Sequence, residues 1–349
     1  MMTVTTLTDG GQDPVTVAEA LRDFLAAAQS SLDLALYDFH LEPGLEEFVV
    51  DTLIAAGKRG VAVRVIYNAD FRAPIPVPPP PTMTPEDVAR LGLPSKPIAG
   101  IPDLMHHKYV VRDRSSVWTG STNWTDDSWS REENVIAVVD SPELATAYSL
   151  DFEQLWDVGI VEEAGRVEPR PVHVDGIEIR PWFCPGYGDA LSHRMAKAIG
   201  RAKRRVRICS PVITAAPVLA TLAQVIADGK VDVAGAVDMP QVEDVQRQWG
   251  PTGVRSWKLP LLLDVIGSGR FAGKPSTPWG PGTVHDYMHA KITVADDVVF
   301  LGSFNLSHSG EMNSENVLEI HDPALAERLA GYVDGVRARY PVASLRTVP

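Results

Sequence analysis

The chain states one pattern of residues twice, and this internal repeat restricts the possible folds more than any other feature. The first copy reads His-x-Lys-x4-Asp, then Gly-Ser-x-Asn, then Glu-Asn-Val, and it runs from His106 to Val135. The second copy keeps the same order and runs from His289 to Val317. The copies are 183 residues apart at the histidines and 182 at the glutamates, so one residue is missing from the second copy, between its aspartate and its glycine. A chain of this kind is expected to form two similar halves.

The polar residues of the two copies are the candidates for a functional site. Strand alternation places His106 and Lys108 on one face and His107 on the other, so the two side chains of a copy can reach the same ligand. The repeated residues are His106, Lys108, Asp113, Ser121, Asn123 and Glu133 in the first copy, and His289, Lys291, Asp296, Ser303, Asn305 and Glu315 in the second.

These two units resemble the phospholipase D superfamily, whose members carry two H-x-K-x4-D units followed by G-S-x-N. The resemblance covers both halves and extends to the segment 152–156 after the first unit. It implies an α/β fold with two pseudo-symmetric phospholipase D-like βαβ halves. Each half is expected to be a mostly parallel sheet flanked by helices, with the active site at the interface between the halves.

The resemblance also implies a reaction at a phosphodiester that proceeds without a metal. One imidazole attacks phosphorus and forms a phosphohistidine, while the other protonates the leaving oxygen and later activates water or an alcohol. By analogy with the family, His106 is the expected nucleophile and His289 the expected acid. The groups expected to hold the phosphate oxygens are Lys108, Lys291, Ser121, Asn123, Ser303 and Asn305.

The remaining motif residues have expected roles in orientation and structure. In proteins that this sequence resembles, the glutamate after G-S-x-N orients a histidine, often across the pseudo-twofold axis. We therefore expect Glu315 to hold His106 and Glu133 to hold His289. Asp113 and Asp296 stand five residues after the lysines, at predicted turns, and are expected to be structural. No cofactor is expected, nor is a metal site, since no further His or Cys cluster has ligand spacing.

Composition narrows the function classes. The 349 residues carry a net charge of −13, which argues against broad non-specific binding to nucleic acid. The sequence shows neither a signal peptide nor an apolar run of about 18 residues, so a cytoplasmic location without a transmembrane segment is expected. The two cysteines, Cys184 and Cys209, form no disulfide framework.

Periodicity predicts alternating helices and strands in each half. Helices are predicted over 15–28 and 45–58 around a strand at 32–39, with a second strand at 61–67 parallel to the first. Ser141 and Pro142 predict the start of a helix that closes the first half. The predicted division is an N-terminal half (1–163), a linker (164–176) and a C-terminal half (177–349). Two long inserts precede the histidines, and the first is expected to form a wall of the site.

Three functions fit these observations. The favoured one is a phospholipase D-like phosphodiesterase that acts on a phospholipid, with peripheral membrane contact, since the segment 239–288 is rich in Trp and Leu. That insert is equally consistent with packing its own small core. A nuclease of the same superfamily is the alternative, and a non-catalytic phosphate-binding protein is the third. Because one chain supplies both motifs, a monomer is sufficient to form the site.

Overall fold

The computed structural model describes residues 1–69, 85–250, 256–278, 280 and 283–345. The proline run at 78–81, the predicted helix cap Thr84, and Trp279 lie outside the described residues. The short helix expected after Thr84 is present.

The described part of the first half alternates strands and helices. Its strands are β1 (Met2–Leu7), β2 (Ser31–Leu36), β3 (Phe39–His40), β4 (Ala62–Ala69), β5 (Ser95–Ala99), β6 (Lys108–Arg112), β7 (Ser116–Gly120), β8 (Trp124–Thr125) and β9 (Asn134–Asp140). Its helices are α1 (Pro14–Ala26), α2 (Leu45–Lys58), α3 (Pro85–Ala89), α4 (Asp126–Ser130) and α5 (Pro142–Val158), and a 3-10 turn follows at Val161–Glu163.

The second half repeats this plan with additional elements. Its strands are β10 (Val172–Val174), β11 (Ile177–Cys184), β12 (Arg205–Cys209), β13 (Asp232–Asp238), β14 (Phe271–Lys274), β15 (Ile292–Ala295), β16 (Val298–Gly302) and β17 (Glu315–His321). Its helices are α6 (Gly188–Arg201), α7 (Ala216–Asp228), α8 (Met239–Gln248), α9 (Leu259–Ile266), α10 (His308–Met312) and α11 (Pro323–Arg339), with a 3-10 turn at Ser256–Lys258 before α9.

Each half is built on one large sheet, which confirms the predicted α/β class with two repeated halves. The strand orders are β1-β9-β7-β6-β2-β4-β5 and β10-β11-β17-β16-β15-β12-β13-β14. The expectation of mostly parallel sheets is wrong. Parallel pairing in these two sheets is confined to β2-β4-β5 and β12-β13-β14. The motif strands instead follow one another through short connections, and strands joined in this way pair antiparallel.

The local signals of the sequence correspond to well-defined elements. Helix α2 covers the predicted range 45–58, and β2 and β4 on either side of it pair in parallel as expected. The Ser141 hydroxyl accepts a hydrogen bond from the Leu144 amide at the start of α5, with Pro142 in the first turn. Strand β10 lies within the predicted linker 164–176 and pairs with β11, while the domain boundaries themselves stay a prediction.

A shared core joins the halves. One buried cluster contains Tyr109 and Phe152 from the first half together with Leu318 and Leu329 from the second. Two isolated bridges also connect the halves, Met105 with Ser314 and Met288 with Glu133. Because Met105 and Met288 directly precede the motif histidines, the interface holds both histidines on ordered backbone.

The two inserts have different positions in the structure. The side chains of Trp249, Leu262 and Phe271 are buried in a cluster of the second half, so the second insert mostly packs as core, while Trp257 is 60% exposed. The described residues of the first insert add strand β5 to the sheet edge but do not line the site. Within the described residues, no helix has the length and apolar character needed to cross a membrane.

Candidate active site

The two motif histidines line a single cavity between the halves. The cavity has a volume of about 290 Å³, and His106 and His289 both face it. Helix α8 and the chain before His289 complete the wall. Other polar residues that line it are Tyr37, Asn123, Glu132, Gln241, Asp244, Gln248, His285, Tyr287 and Asn305. The structure thus brings together in one pocket two residues that are 183 positions apart in the sequence.

His106 is held by a carboxylate from the other half. Its Nδ1 lies 2.7 Å from Glu315 Oε1, which is the pairing expected from the sequence. With Nδ1 engaged in this way, Nε2 is left for the cavity. Burial lowers the pKa of His106 well below its ordinary range, and the ammonium groups of Lys108 and Lys291 lower it further. Burial raises the pKa of Glu315 to about 7, although Lys108 opposes this shift.

His289 is held differently, and the expectation for Glu133 is wrong. His289 Nδ1 lies 3.1 Å from Asn134 Oδ1 and 3.4 Å from Glu132 Oε2. Burial, followed by Lys291 and Lys108, lowers the pKa of His289 well below its ordinary range. Glu133 instead accepts a hydrogen bond from Lys274 Nζ at 2.9 Å, away from the histidine.

Strand register explains why the matched Glu-Asn-Val letters are misleading. Gly120 pairs with Ile136, whereas Gly302 pairs with Val317, so the strands β9 and β17 correspond at a spacing of 181 residues rather than 182. Asn134, and not Glu133, therefore occupies the position of Glu315. The bridges agree, because Glu133 lies beside Met288 as Ser314 lies beside Met105.

Two short connections account for the two steps in spacing, from 183 at the histidines to 182 at Gly-Ser-x-Asn, and from 182 to 181 at β9 and β17. The β6–β7 turn contains three residues, starting at Asp113, while the β15–β16 turn contains only Asp296 and Asp297. Helices α4 and α10 have equal lengths, but three residues separate α4 from β9 and two separate α10 from β17. The extra residue after α4 places Glu132 near His289.

Each histidine consequently lies beside a carboxylate that has a carboxamide next to it, but different groups of the two pairs are nearest to Nδ1. On His106 the carboxylate of Glu315 makes the direct contact, and Asn313 Nδ2 lies 3.5 Å from that carboxylate. On His289 the carboxamide of Asn134 is nearest, and its Nδ2 donates to Glu132 Oε2 at 3.1 Å. The two imidazoles therefore have different electrostatic surroundings despite their shared motif.

The motif lysines lie next to the histidines and are almost fully buried. Lys108 Nζ and Lys291 Nζ each donate to the main-chain carbonyl of the histidine two residues earlier, at 2.6 Å in both cases. Burial lowers the pKa of Lys108 to about 7, with Glu315 opposing, and burial with Lys108 lowers that of Lys291. Neither lysine is among the residues that line the cavity. The negative charge of an anion in that cavity would favour the charged forms of both lysines.

The asparagines and serines of the motifs have different positions. Asn123 and Asn305 line the cavity, and their Oδ1 atoms have no hydrogen-bond partner within the described residues. Ser121 and Ser303 are fully buried outside the cavity wall. Their hydroxyls accept hydrogen bonds from the Val135 and Asn316 amides at 2.9 and 3.0 Å. The expected phosphate contact by these serines is thus not seen, because each hydroxyl is used to hold the next strand.

The motif aspartates stabilise turns. Asp113 accepts hydrogen bonds from the amides of residues 29–31, and Asp296 accepts them from the amides of residues 203–205. Both have positive φ, 54° and 52°. This geometry agrees with the structural role expected for them.

Several residues of the site were not identified from the sequence. Tyr37 packs its ring edge against His106 at a centroid distance of 4.6 Å, with Lys108 Nζ 4.7 Å from the Tyr37 ring centroid. Nothing in the motif pattern points to Tyr37. The motif pattern does not identify His285 either, yet it lines the cavity, and its Nδ1 lies 2.8 Å from Asp127 Oδ2. His107 is buried beside Asp151 and does not line the cavity, as strand alternation predicts.

The described residues contain no group of three or more His, Cys, Asp or Glu side chains placed to hold a metal ion.

Comparison with known proteins agrees with the repeat and the fold. The family described as "Cardiolipin synthase, PLD-like domain" matches residues 21–156 and 195–336. Mitochondrial cardiolipin hydrolase from Xenopus laevis is 32% identical over 133 residues, covering 38% of this chain and 58% of that protein. The human protein of the same name is 30% identical over 140 residues, covering 38% of this chain and 48% of that protein. The chain thus spans about half the length of these relatives.

A solved structure supports the fold over nearly the whole chain. Phosphatidylserine synthase from Haemophilus influenzae Rd KW20 matches 96% of this chain and 86% of that chain, with a TM-score of 0.62 and 14% identity. At this identity the likeness concerns the fold alone. The two matched ranges contain both repeated units and together span more than half of the chain. The chain therefore belongs to the phospholipase D superfamily.

Proposed function

We propose that this protein is a phospholipase D-type phosphodiesterase that cleaves a phospholipid through a phosphohistidine intermediate. The observation that carries this proposal is the shared cavity, in which two imidazoles turn their Nδ1 atoms toward carboxylate or carboxamide oxygens and keep Nε2 for a substrate. Two buried ammonium groups adjoin them. This set supplies a nucleophile, an acid and charge stabilisation, which are the three requirements of phosphodiester cleavage.

In the proposed reaction, His106 Nε2 attacks phosphorus as the bond to the leaving oxygen breaks. An imidazole phosphorylated at Nε2 with Nδ1 protonated carries positive charge, and Glu315 at 2.7 Å is placed to neutralise it. This supports His106 as the nucleophile. His289 gives its proton to the leaving alkoxide, then removes a proton from water or an alcohol that attacks phosphorus and releases His106.

Protonation of His289 is coupled to substrate binding in this proposal. Burial and the two lysines favour neutral imidazoles, as the lowered pKa values of both histidines indicate. A bound phosphodiester brings a negative charge that offsets Lys108 and Lys291. The same charge favours the imidazolium form of His289, so the acid is formed where a substrate is present.

Two observations favour a phospholipid over nucleic acid. The similar proteins are named cardiolipin hydrolases, and cardiolipin is a phospholipid. The densest basic segment, 203–207, is also largely neutralised. Arg204 pairs with Asp297, Arg205 with Glu327, and Arg207 with Asp232 and Asp334. Paired arginines contribute little to binding phosphate chains. A cytoplasmic location and a monomeric active form remain predictions.

The first test is release of headgroup from phosphatidylcholine and cardiolipin vesicles in EDTA with ethanol present. We expect release by the unaltered chain, phosphatidylethanol among the products, and a loss of at least about 10³-fold in His106→Ala. His193→Ala is the matched control, because the His193 side chain is 63% exposed on α6, away from the cavity. It should retain full activity.

The same variants distinguish the alternatives. Cleavage of single-stranded or duplex DNA that depends on His106, without lipid turnover, would replace the proposal with a nuclease. Binding of a diester analogue with no turnover of lipid or DNA would indicate a phosphate-binding protein. A phosphoenzyme trapped on His289 instead of His106 would reverse the assigned roles of the histidines.

A further inference from the structure

The carboxylate beside His289 has a second histidine on its other side. Glu132 Oε2 lies 3.4 Å from His289 Nδ1, and Glu132 Oε1 lies 3.5 Å from His285 Nε2. His285 Nδ1 lies in turn 2.8 Å from Asp127 Oδ2. An acid and a base therefore alternate along a chain of four side chains that ends at the proposed general acid. We call Asp127, His285 and Glu132 the relay.

The inner part of the relay is almost wholly buried and is held by hydrogen bonds. Glu132 is 1% exposed, and its Oε2 accepts hydrogen bonds from Ser128 Oγ at 2.7 Å and from Asn134 Nδ2 at 3.1 Å. These contacts direct Oε1 toward His285, which is itself buried. Charges that are buried in this way interact more strongly than charges at a protein surface, because the local dielectric constant is lower.

The carboxylate of the other histidine, Glu315, has Asn313 Nδ2 3.5 Å from its Oε1. Glu315 Oε1 contacts His106, but Glu315 Oε2 is buried without a hydrogen-bond partner within the described residues. The relay therefore distinguishes the surroundings of His289 from those of His106. It acts on His289, the residue that must both give and take a proton in the proposed reaction.

We propose that His285 is a positioning residue that, together with Asp127, keeps Glu132 ionised and directed at His289. In this arrangement His285 controls whether His289 carries a proton. Only the kinetic consequence of this inference rests on the proposed phosphodiesterase function, since the contacts belong to the protein itself.

The charges around the relay determine the direction of the effect. Asp127, Glu132 and Asp38 act on His285, and together they raise its pKa although burial lowers it. Burial raises the pKa of Glu132, while His285 and Lys291 oppose that shift. Removing His285 should let Glu132 take up a proton. His285 also lowers the pKa of His289 directly. Glu132 Oε2 is nearer, at 3.4 Å from His289 Nδ1, so the loss of its negative charge outweighs the loss of the more distant imidazolium, and His289 would hold its own proton less firmly.

The test compares the full-length protein with His285→Gln and Asp127→Asn, using His193→Gln as the exposed control. Imidazole ¹⁵N chemical shifts measured against pH report the protonation of His289 without any turnover. We expect the His289 transition to move to lower pH by about one unit in His285→Gln and by less in Asp127→Asn. The basic limb of the pH profile of kcat should move in the same direction. At pH values above that limb kcat should fall roughly tenfold, while KM should be nearly unchanged.

The outcomes separate this inference from the proposed function. An unchanged His289 transition in His285→Gln overturns the relay, whatever the turnover. A change in KM or lipid preference with an unchanged transition would make His285 a substrate contact instead, and also overturns it. Should His285→Gln fail to fold, Asp127→Asn decides by the same readout. An unaltered chain without lipid turnover contradicts the proposed function, while the NMR result still tests the relay.

Discussion

At the scale of single residues, the two histidines differ through the order of an acid and an amide. Glu315 contacts His106 directly, whereas Glu132 approaches His289 beside Asn134. The sequence predicted Glu315 correctly but suggested Glu133 in place of Glu132. Three identical letters in each copy favoured an alignment without a gap. The extra residue after α4 becomes visible only through the pairing of β9 and β17.

This register predicts opposite effects for substitutions at two adjacent glutamates. We expect Glu132→Gln to lower kcat by about 100-fold with little change in stability, because the isosteric amide removes the negative charge near His289. We expect Glu133→Gln to leave kcat within about threefold, since Glu133 lies away from the cavity. Its cost should appear in stability, because Lys274, which is 1% exposed, loses its ion pair with Glu133. The expected decrease in the free energy of unfolding is about 3 kcal/mol.

Steady-state kinetics on lipid vesicles and urea unfolding of the same two preparations provide the measurement. Each variant serves as the control for the other, because both replace a fully buried glutamate by the same residue one position apart. An inactive but stable Glu133→Gln beside an active Glu132→Gln would contradict the register and restore the original Glu-Asn-Val assignment.

At the scale of elements, each motif aspartate ties a hairpin turn to the start of a central strand. The amides bound by Asp113 precede or begin β2, and those bound by Asp296 precede or begin β12. Burial alone would raise the pKa of both carboxyls, but these hydrogen bonds outweigh it and lower the pKa. The ionised carboxylate is therefore the form that stabilises the fold.

We expect Asp113→Ala and Asp296→Ala each to lower the free energy of unfolding by about 2 kcal/mol at pH 7, with kcat unchanged. A carboxyl whose pKa is lower in the folded state stabilises the protein above its unfolded pKa of about 3.9 and loses that effect as pH falls below it. The difference between each variant and the unaltered chain should therefore shrink toward pH 3. Urea unfolding as a function of pH provides the measurement.

Asp297→Ala is the matched control for this prediction. Asp297 adjoins Asp296 in the same turn, is half-exposed, and pairs with Arg204 at the surface. Surface pairs of this kind contribute about 0.5 kcal/mol. A loss of activity in Asp296→Ala without a loss of stability would instead make the aspartate part of the reaction.

Elements with strong local signals were predictable, whereas strand pairing was only partly so. The length of α2, the start of α5 and the parallel pairing of β2 with β4 follow from periodicity, a cap and a crossover. The motif strands pair antiparallel because short connections join them. The resemblance to the family did not indicate these connections. Strands such as β1 are set by pairing with a strand more than a hundred residues away, so their own short sequences contain little evidence.

At the scale of the whole molecule, the halves are interlocked. The last helix, α11, reaches the first strand: Arg328 Nη1 donates to the Val4 carbonyl at 3.0 Å, and the Tyr332 hydroxyl donates to the Leu7 carbonyl at 2.7 Å. The core contains residues from both halves, including Tyr109 and Leu318. The sequence predicted two units, but it could not indicate that each half completes the core of the other.

Such a shared core predicts that the protein unfolds in a single step. Leu53 on α2 and Leu222 on α7 are fully buried in the separate clusters of the first and second half and do not belong to the shared core. We expect Leu53→Ala and Leu222→Ala each to lower the free energy of unfolding by about 3 kcal/mol through loss of buried surface and formation of a cavity.

If the halves are coupled, each substitution shifts the one transition as a whole. Urea unfolding followed by circular dichroism and by tryptophan fluorescence should give coincident curves for both variants. If the halves were independent, Leu53→Ala would split the curve, with the first half melting early and the second half retaining its original midpoint. The site would then depend on two separately folding units rather than on one.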